Sequence, residues 1–269
     1  MTSLPPTRHR EPVFNVPLAV LLLIGVLLAV HAGRQWLAEE TDFRVLAEFA
    51  FVPARIALQY DAAGVAAAVK TLAASGPQGL EEARAVQFLL GQGEAKPWTL
   101  LTYSMLHADW THLLLNCVWL LAFGSAVAWR FGTGRFLGFF AVTALAGALA
   151  HWLAHPLGLA PVIGASASVS GAMAAAARFA FQPGGPMRRG GQARGPGLYQ
   201  MPALPLSRVF ADRQAMPFLL AWFVINLVTG IGAVPLGLSD SGIAWEAHIG
   251  GFLAGLVLFD WFDPVPLRP

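Results

Sequence analysis

Hydrophobic residues in this chain collect into six long blocks separated by polar, Gly- and Pro-bearing connections. The blocks cover residues 16–32, 112–129, 136–154, 166–181, 216–234 and 246–261. A bilayer core about 30 Å thick needs roughly 20 apolar residues per helix, with latitude for short ones, so each block predicts a membrane span. Two extramembrane regions interrupt the pattern. Residues 35–105 hold amphipathic stretches at 61–72 and 79–90 and predict a long external loop packed at the membrane surface. Residues 182–213 are rich in Gly, Pro and Arg and predict a flexible cytoplasmic linker near anionic headgroups. The expected organisation is a cytoplasmic segment 1–15, one membrane domain 16–262 and a tail 263–269.

Composition agrees with this pattern. Of 269 residues, 56% are hydrophobic and 12% charged, about half the charge of an ordinary soluble domain. Arg8 and Arg10 precede the first block as they would in a signal peptide, but the run is long and lacks a clear small-x-small cleavage site. It reads as an uncleaved anchor. Placing the N-terminus in the cytoplasm puts eleven of the seventeen basic residues on that side: Arg8, Arg10, Arg130, Arg135, Arg178, Arg188, Arg189, Arg194, Arg208, Arg213 and Arg268. The other six, all Arg or Lys of the long loop and its edges, carry little topological weight, because long loops cross membranes regardless of charge. The expected fold is an all-α membrane protein with six transmembrane helices and both termini cytoplasmic. The net charge of +2 reflects this topology and no nucleic-acid partner. The single cysteine, Cys117, allows no disulfide within the chain and reads as a small packing residue.

Polar side chains within such blocks are costly and are functional candidates by default. Ser166 follows Pro161 and Gly164, which argue against a continuous helix there, so it is expected in the first turn of the fourth helix. A hydroxyl and a free N–H at the positive end of a helix suit a developing oxyanion. Taken alone, Ser166 reads better as a helix cap. Ser168 and Ser170 read as interhelical hydrogen bonders. His248 precedes Gly250, Gly251 and Gly255, whose small surfaces match the Ala-rich fourth helix, and close packing would bring its imidazole to the serine. The plain alternative is a structural histidine. His112 and Asn116 lie four residues apart on one helical face and could donate to an oxyanion. Glu246, two residues from His248, points elsewhere, and no acidic residue within a span is placed to orient the imidazole. A Ser–His dyad oriented by packing is therefore expected. His107, His112, His151, His155 and His248 raise a metal reading, but HExxH is absent and Cys117 does not share the stripe of His112, so no metal site and no cofactor is expected. His151 and His155 are expected at the outer mouth, and His9 and His31 read as incidental.

Assembled, these residues resemble the rhomboid family of intramembrane serine proteases. The resemblance rests on His107-Ala-Asp-Trp-Thr-His112-Leu-Leu-Leu-Asn116, on Gly164-Ala-Ser166, and on Ala247-His248-Ile-Gly250-Gly251-Phe-Leu-Ala-Gly255, over roughly residues 95–262. It implies a six-helix rhomboid-like bundle with Ser166 as nucleophile and His248 as general base. His112, Asn116 and the Ser166 N–H would form the oxyanion hole. Its partners would be transmembrane protein substrates and the lipid bilayer, cut near the outer face, with substrate access gated by the fifth helix around 216–234 and the loop 236–245. The chain departs from the family's Gly-x-Ser-Gly pattern at Ala167, and has Ala128 where the family carries an acidic residue at the end of the second helix. The family's Trp-Arg pair of the first external loop is not evident, Trp129-Arg130 falling on the cytoplasmic side.

Two other functions compete. A catalytically impaired relative that binds membrane helices would account for Ala167. A small transporter would show midplane polar groups from several helices and a repeat between halves, and neither is seen. The arginine asymmetry and lack of an organelle presequence favour a multi-pass protein of the bacterial inner membrane.

Overall fold

The computed structural model describes residues 16–187, 196–232 and 244–265. Its first helix, α1 (Leu18–Gln35), starts after Pro17, whose fixed φ and missing N–H suit a helix entrance. The long loop is itself helical. α2 (Glu39–Phe49) opens on Glu39, Glu40 and Asp42, acids that favour the positive end of a helix. α3 (Ala62–Ala73) is capped by the Asp61 carboxylate, which accepts the Gly64 N–H at 2.8 Å. α4 (Pro77–Leu90) begins with Pro at its first position and stops at Gly91, whose φ of 62° suits glycine. Val52, Ala54, Ala57, Val65, Val69, Ala83, Val86 and Leu90 form a small apolar core under these helices. The buried Arg55 guanidinium ties the unit together by donating to the carbonyls of Ala47, Ala50 and Leu89.

Three helices of the described residues are long and apolar enough to cross a membrane: α1, α5 (Trp110–Phe131) and α6 (Thr133–Ala154). Within α5, Leu120–Gly124 forms a π-turn, a widening that often marks a functional region. Of the three later blocks, α8 (Ala215–Gly232) is helical to the edge of the described residues, while α7 (Ser166–Ala177) and α9 (Trp245–Val257) are shorter than their apolar length predicts. At 1.5 Å per residue, the 12 residues of α7 span about 18 Å, well short of the bilayer core. The chain between α6 and α7 packs on the bundle instead, with Val162 bridged to Phe51 and the Gly164 N–H bonded to the Tyr103 carbonyl.

α7 is the hub. Every residue from Ala167 to Ala177 is buried, because side chains no larger than serine at almost every position let α6 and α9 close on it. A Cβ placed on Gly251 of α9 would lie 2.1 Å from the Ala167 carbonyl oxygen, and one on Gly255 would lie 2.4 Å from that of Gly171. A Cβ on Gly250 would lie 2.4 Å from the Ala150 methyl of α6. Backbone is packed on backbone across all three helices, which is the small-residue route to membrane-helix association.

At the far end of α7 the structure changes how two of the expected topology arginines are understood. Arg130 is fully buried and pairs with Asp263 at 2.7 Å, while Arg178 pairs with Asp260 at 2.8 Å and donates to Leu256 and Leu204 carbonyls. The ends of α5 and α7 meet the segment after α9 here, so these charges are intramolecular, with Arg130 lying over Phe179 and Arg178 over Phe259. Arg8, Arg10, Arg188, Arg189, Arg194 and Arg268 lie outside the described residues.

Candidate active site

The turn before Ser166 is held from several directions. Phe51 and Val162 exchange backbone hydrogen bonds as an isolated antiparallel bridge, and the Gly164 N–H donates to the Tyr103 carbonyl at 3.0 Å. The Tyr103 hydroxyl donates to the Ala144 carbonyl of α6 at 2.8 Å. The Ala165 N–H points at His107 Nε2 at 3.4 Å, and the His107 carbonyl accepts from Arg34, itself paired with Asp42. Burial above all, with the neighbouring His112, His31 and Arg34, pushes His107 down to about 3. Its imidazole therefore stays neutral and able to accept. The external unit, the connection into α5 and the α6–α7 loop together fix the entrance to α7.

Gly164 is the point on which the site converges. Its φ of 125° is one that L side chains rarely adopt, and a Cβ there would lie 2.8 Å from the His112 imidazole and 3.6 Å from Ser166 Oγ. His112 and Ser166 therefore flank the same bare backbone. Ser166 is the first residue of α7, where N–H groups lack intrahelical partners. His112 lies in the first turn of α5, which Asp109 caps by accepting the His112 N–H at 2.8 Å. One turn on, buried Asn116 donates to the His112 carbonyl at 2.8 Å. An amide nitrogen carries two hydrogens, so a second donor remains.

His248 comes to the same level through the glycine contacts. Gly251 meets Ala167 and Gly255 meets Gly171, so α7 and α9 run parallel in one register, and one turn further back His248 lies level with the start of α7. Its Nδ1 lies 2.7 Å from Asn226 Oδ1 on α8. The Asn226 amide nitrogen donates to the Trp222 carbonyl at 2.9 Å, which turns the oxygen toward the ring. With that polarity Nδ1 carries the proton and Nε2 keeps its lone pair. Packing was the expected means of orienting His248, and a hydrogen-bonding amide is what α8 supplies. The sequence held a signal for it, since Asn226 is an amide set inside an apolar block.

The remaining polar candidates separate from this group. Ser168 donates to the Phe140 carbonyl of α6 at 2.7 Å, an interhelical bond. Ser170 is buried one turn deeper on α7. Glu246 faces away from His248 and binds His151 and His155 at 3.2 and 2.9 Å. The Ala167 methyl points at α6, where a Cβ on Gly147 would come within 2.5 Å of it. The residue that departs from the Gly-x-Ser-Gly pattern thus lodges against a glycine rather than in front of Ser166. The 236–245 loop expected to gate the site falls largely outside the described residues.

A family model described as Rhomboid domain matches residues 94–262, more than half of the chain. The chain is 36% identical over 87 residues to Rhomboid protease GluP of Bacillus subtilis (strain 168), which is 32% of this chain and 16% of that protein. It is 34% identical over 82 residues to the relative YdcA of the same strain, covering 30% of this chain and 41% of the relative. Both alignments span less than half of the relatives' own length. The matched residues include α5, α6, α7 and α9 with every side chain that meets at Gly164, and on that match the chain belongs to the rhomboid family of intramembrane proteases, as an integral membrane protein of the all-α class.

Proposed function

We propose that this chain is a serine endopeptidase of the bacterial inner membrane that cuts transmembrane segments of other proteins, with residues 16–262 as its working unit and both termini cytoplasmic. The observation that carries the reading is the meeting of Ser166 and His112 at Gly164, with His248 at the same level and tied through Nδ1 to Asn226. In this reading His248 Nε2 takes the Ser166 proton as Oγ attacks the scissile carbonyl carbon. The displaced π pair becomes an oxyanion, which accepts from the His112 ring, the second Asn116 N–H and the Ser166 N–H. Collapse breaks the C–N bond, and the imidazolium returns its proton to the departing amine. Water then repeats the sequence at the acyl-enzyme, freeing the acid and the serine. Each lost oxyanion donor costs about 10²–10³ in rate. No metal or cofactor takes part in these steps.

Cleavage of a reporter transmembrane helix in liposomes tests the assignment, with fluorophosphonate labelling as a second readout. Ser166→Ala loses both signals, whereas Ser170→Ala keeps much of each. Equal cleavage by wild type and Ser166→Ala rejects the nucleophile. Because the Ala167 methyl packs on Gly147, Ala167→Gly changes turnover by no more than a few-fold in this reading. A large gain instead identifies the wild type as an impaired relative.

A further inference from the structure

Three ionisable side chains beside the site have no part in the proposed chemistry. His151 and His155 end α6 at the i, i+4 spacing that sets two imidazoles on one helical face, and Glu246 opens α9 opposite them. One donor atom from each lies within 4.8 Å of the other two. The two Glu246 oxygens divide between His151 Nδ1 and His155 Nε2. His151 and Glu246 are largely covered, with side-chain exposures of 13% and 16%, and His155 is half exposed at 50%.

We infer that His151, His155 and Glu246 form a binding site for a divalent transition cation of the zinc class, separate from the Ser166 centre. Two neutral imidazoles and one carboxylate are a donor set that Zn²⁺ accepts, with water in the fourth position. The open flank of His155 faces solvent and leaves room for that water. Donors about 2.0–2.2 Å from a tetrahedral ion sit roughly 3.3 Å apart, so the three must draw together by up to about 1.5 Å. His155 is the capping residue of the helix end, and its half-exposed side chain has room for that movement. Each imidazole shifts its proton to its outer nitrogen and turns a lone pair inward, so ligation releases no proton from a neutral ring. A bound ion joins the last turn of α6 to the first turn of α9, two residues ahead of His248. Zinc occupancy would therefore brace the helix that carries the imidazole.

Tag-free protein, stripped with chelator in detergent, is titrated with Zn²⁺ alone against a chromophoric competitor. Binding of a single ion per chain is expected, and Glu246→Gln and His151→Ala should each weaken it by at least about tenfold. His31→Phe, which removes a buried histidine elsewhere, should leave affinity unchanged. X-ray absorption of the zinc-loaded wild type should show two imidazole nitrogens and an oxygen, a readout that needs no variant to fold. Absence of binding by the wild type, a first shell without imidazole, or equal affinity in the Glu246→Gln/His151→Ala double variant overturns the site. None of these measurements uses proteolysis, so the result is independent of the function proposed for Ser166.

Discussion

Asn226 carries the strongest consequence at the level of single residues. A histidine whose Nδ1 proton is held points its other nitrogen in one direction, and holding the ring in that pose is what a third residue contributes to a serine nucleophile. Asn226→Ala should lower kcat roughly 10- to 100-fold, within the range of general-base effects, while leaving KM nearly unchanged. Asn226→Asp keeps an oxygen acceptor and should recover part of that loss. A kcat unaffected by Asn226→Ala would remove the residue from the mechanism. The histidines, Ser166 and Asn116 stood out in the sequence because polar groups inside apolar blocks are rare. Asn226 had the same signal, but its partner is 22 residues away on another helix, and no local spacing connects the two.

Among the elements, the decisive contact is the backbone approach of α7 and α9. Glycines before an Ala-rich partner made close packing legible, and the structure adds the register, Gly251 on Ala167 and Gly255 on Gly171. Gly251→Val would drive a side chain into the Ala167 carbonyl, beside Ser166. Overpacking of this kind costs about 1–3 kcal/mol, and here it also moves His248 away from the serine. A lowered Tm with lost fluorophosphonate labelling is expected. Gly25→Val on α1, where no atom lies within 4 Å of the added Cβ, should change stability by no more than about 0.5 kcal/mol. Helix lengths were less legible than helix positions. Apolar composition marks what avoids water, and α7 avoids it inside protein as completely as a long helix does inside lipid, so a block of spanning character produced a helix of only 12 residues.

At the scale of the whole molecule, the end remote from Ser166 is closed by ion pairs of two buried arginines, Arg130 with the buried Asp263 and Arg178 with the exposed Asp260. Arg130 donates to Asp263 and to the Tyr199 and Met201 carbonyls, joining α5, the 196–204 segment and the chain after α9. Asp263→Ala leaves a guanidinium buried without its counter-charge and should cost about 3–5 kcal/mol, read as a lower unfolding temperature in detergent. Replacing both partners, as Arg130→Met with Asp263→Leu, should cost much less, because no orphaned charge remains. Equal losses in the single and double variants would show that the pair stabilises through packing alone. In the sequence these arginines carried only a sign, which matched a topology rule. Where a charge ends up depends on which chain segments meet, and Asp260 and Asp263 lie 82 and 133 residues from their partners.

The sequence by itself determined the all-helical membrane character and nominated Ser166, His248, His112 and Asn116, because both follow from the cost of placing water-seeking groups in an apolar medium, a property each residue carries alone. Only the tertiary structure decided the length of α7, the partner of His248, the grouping of Glu246 with His151 and His155, and the burial of Arg130 and Arg178. Those outcomes depend on distances between segments far apart along the chain, and such distances are set by packing, which no single stretch of residues encodes.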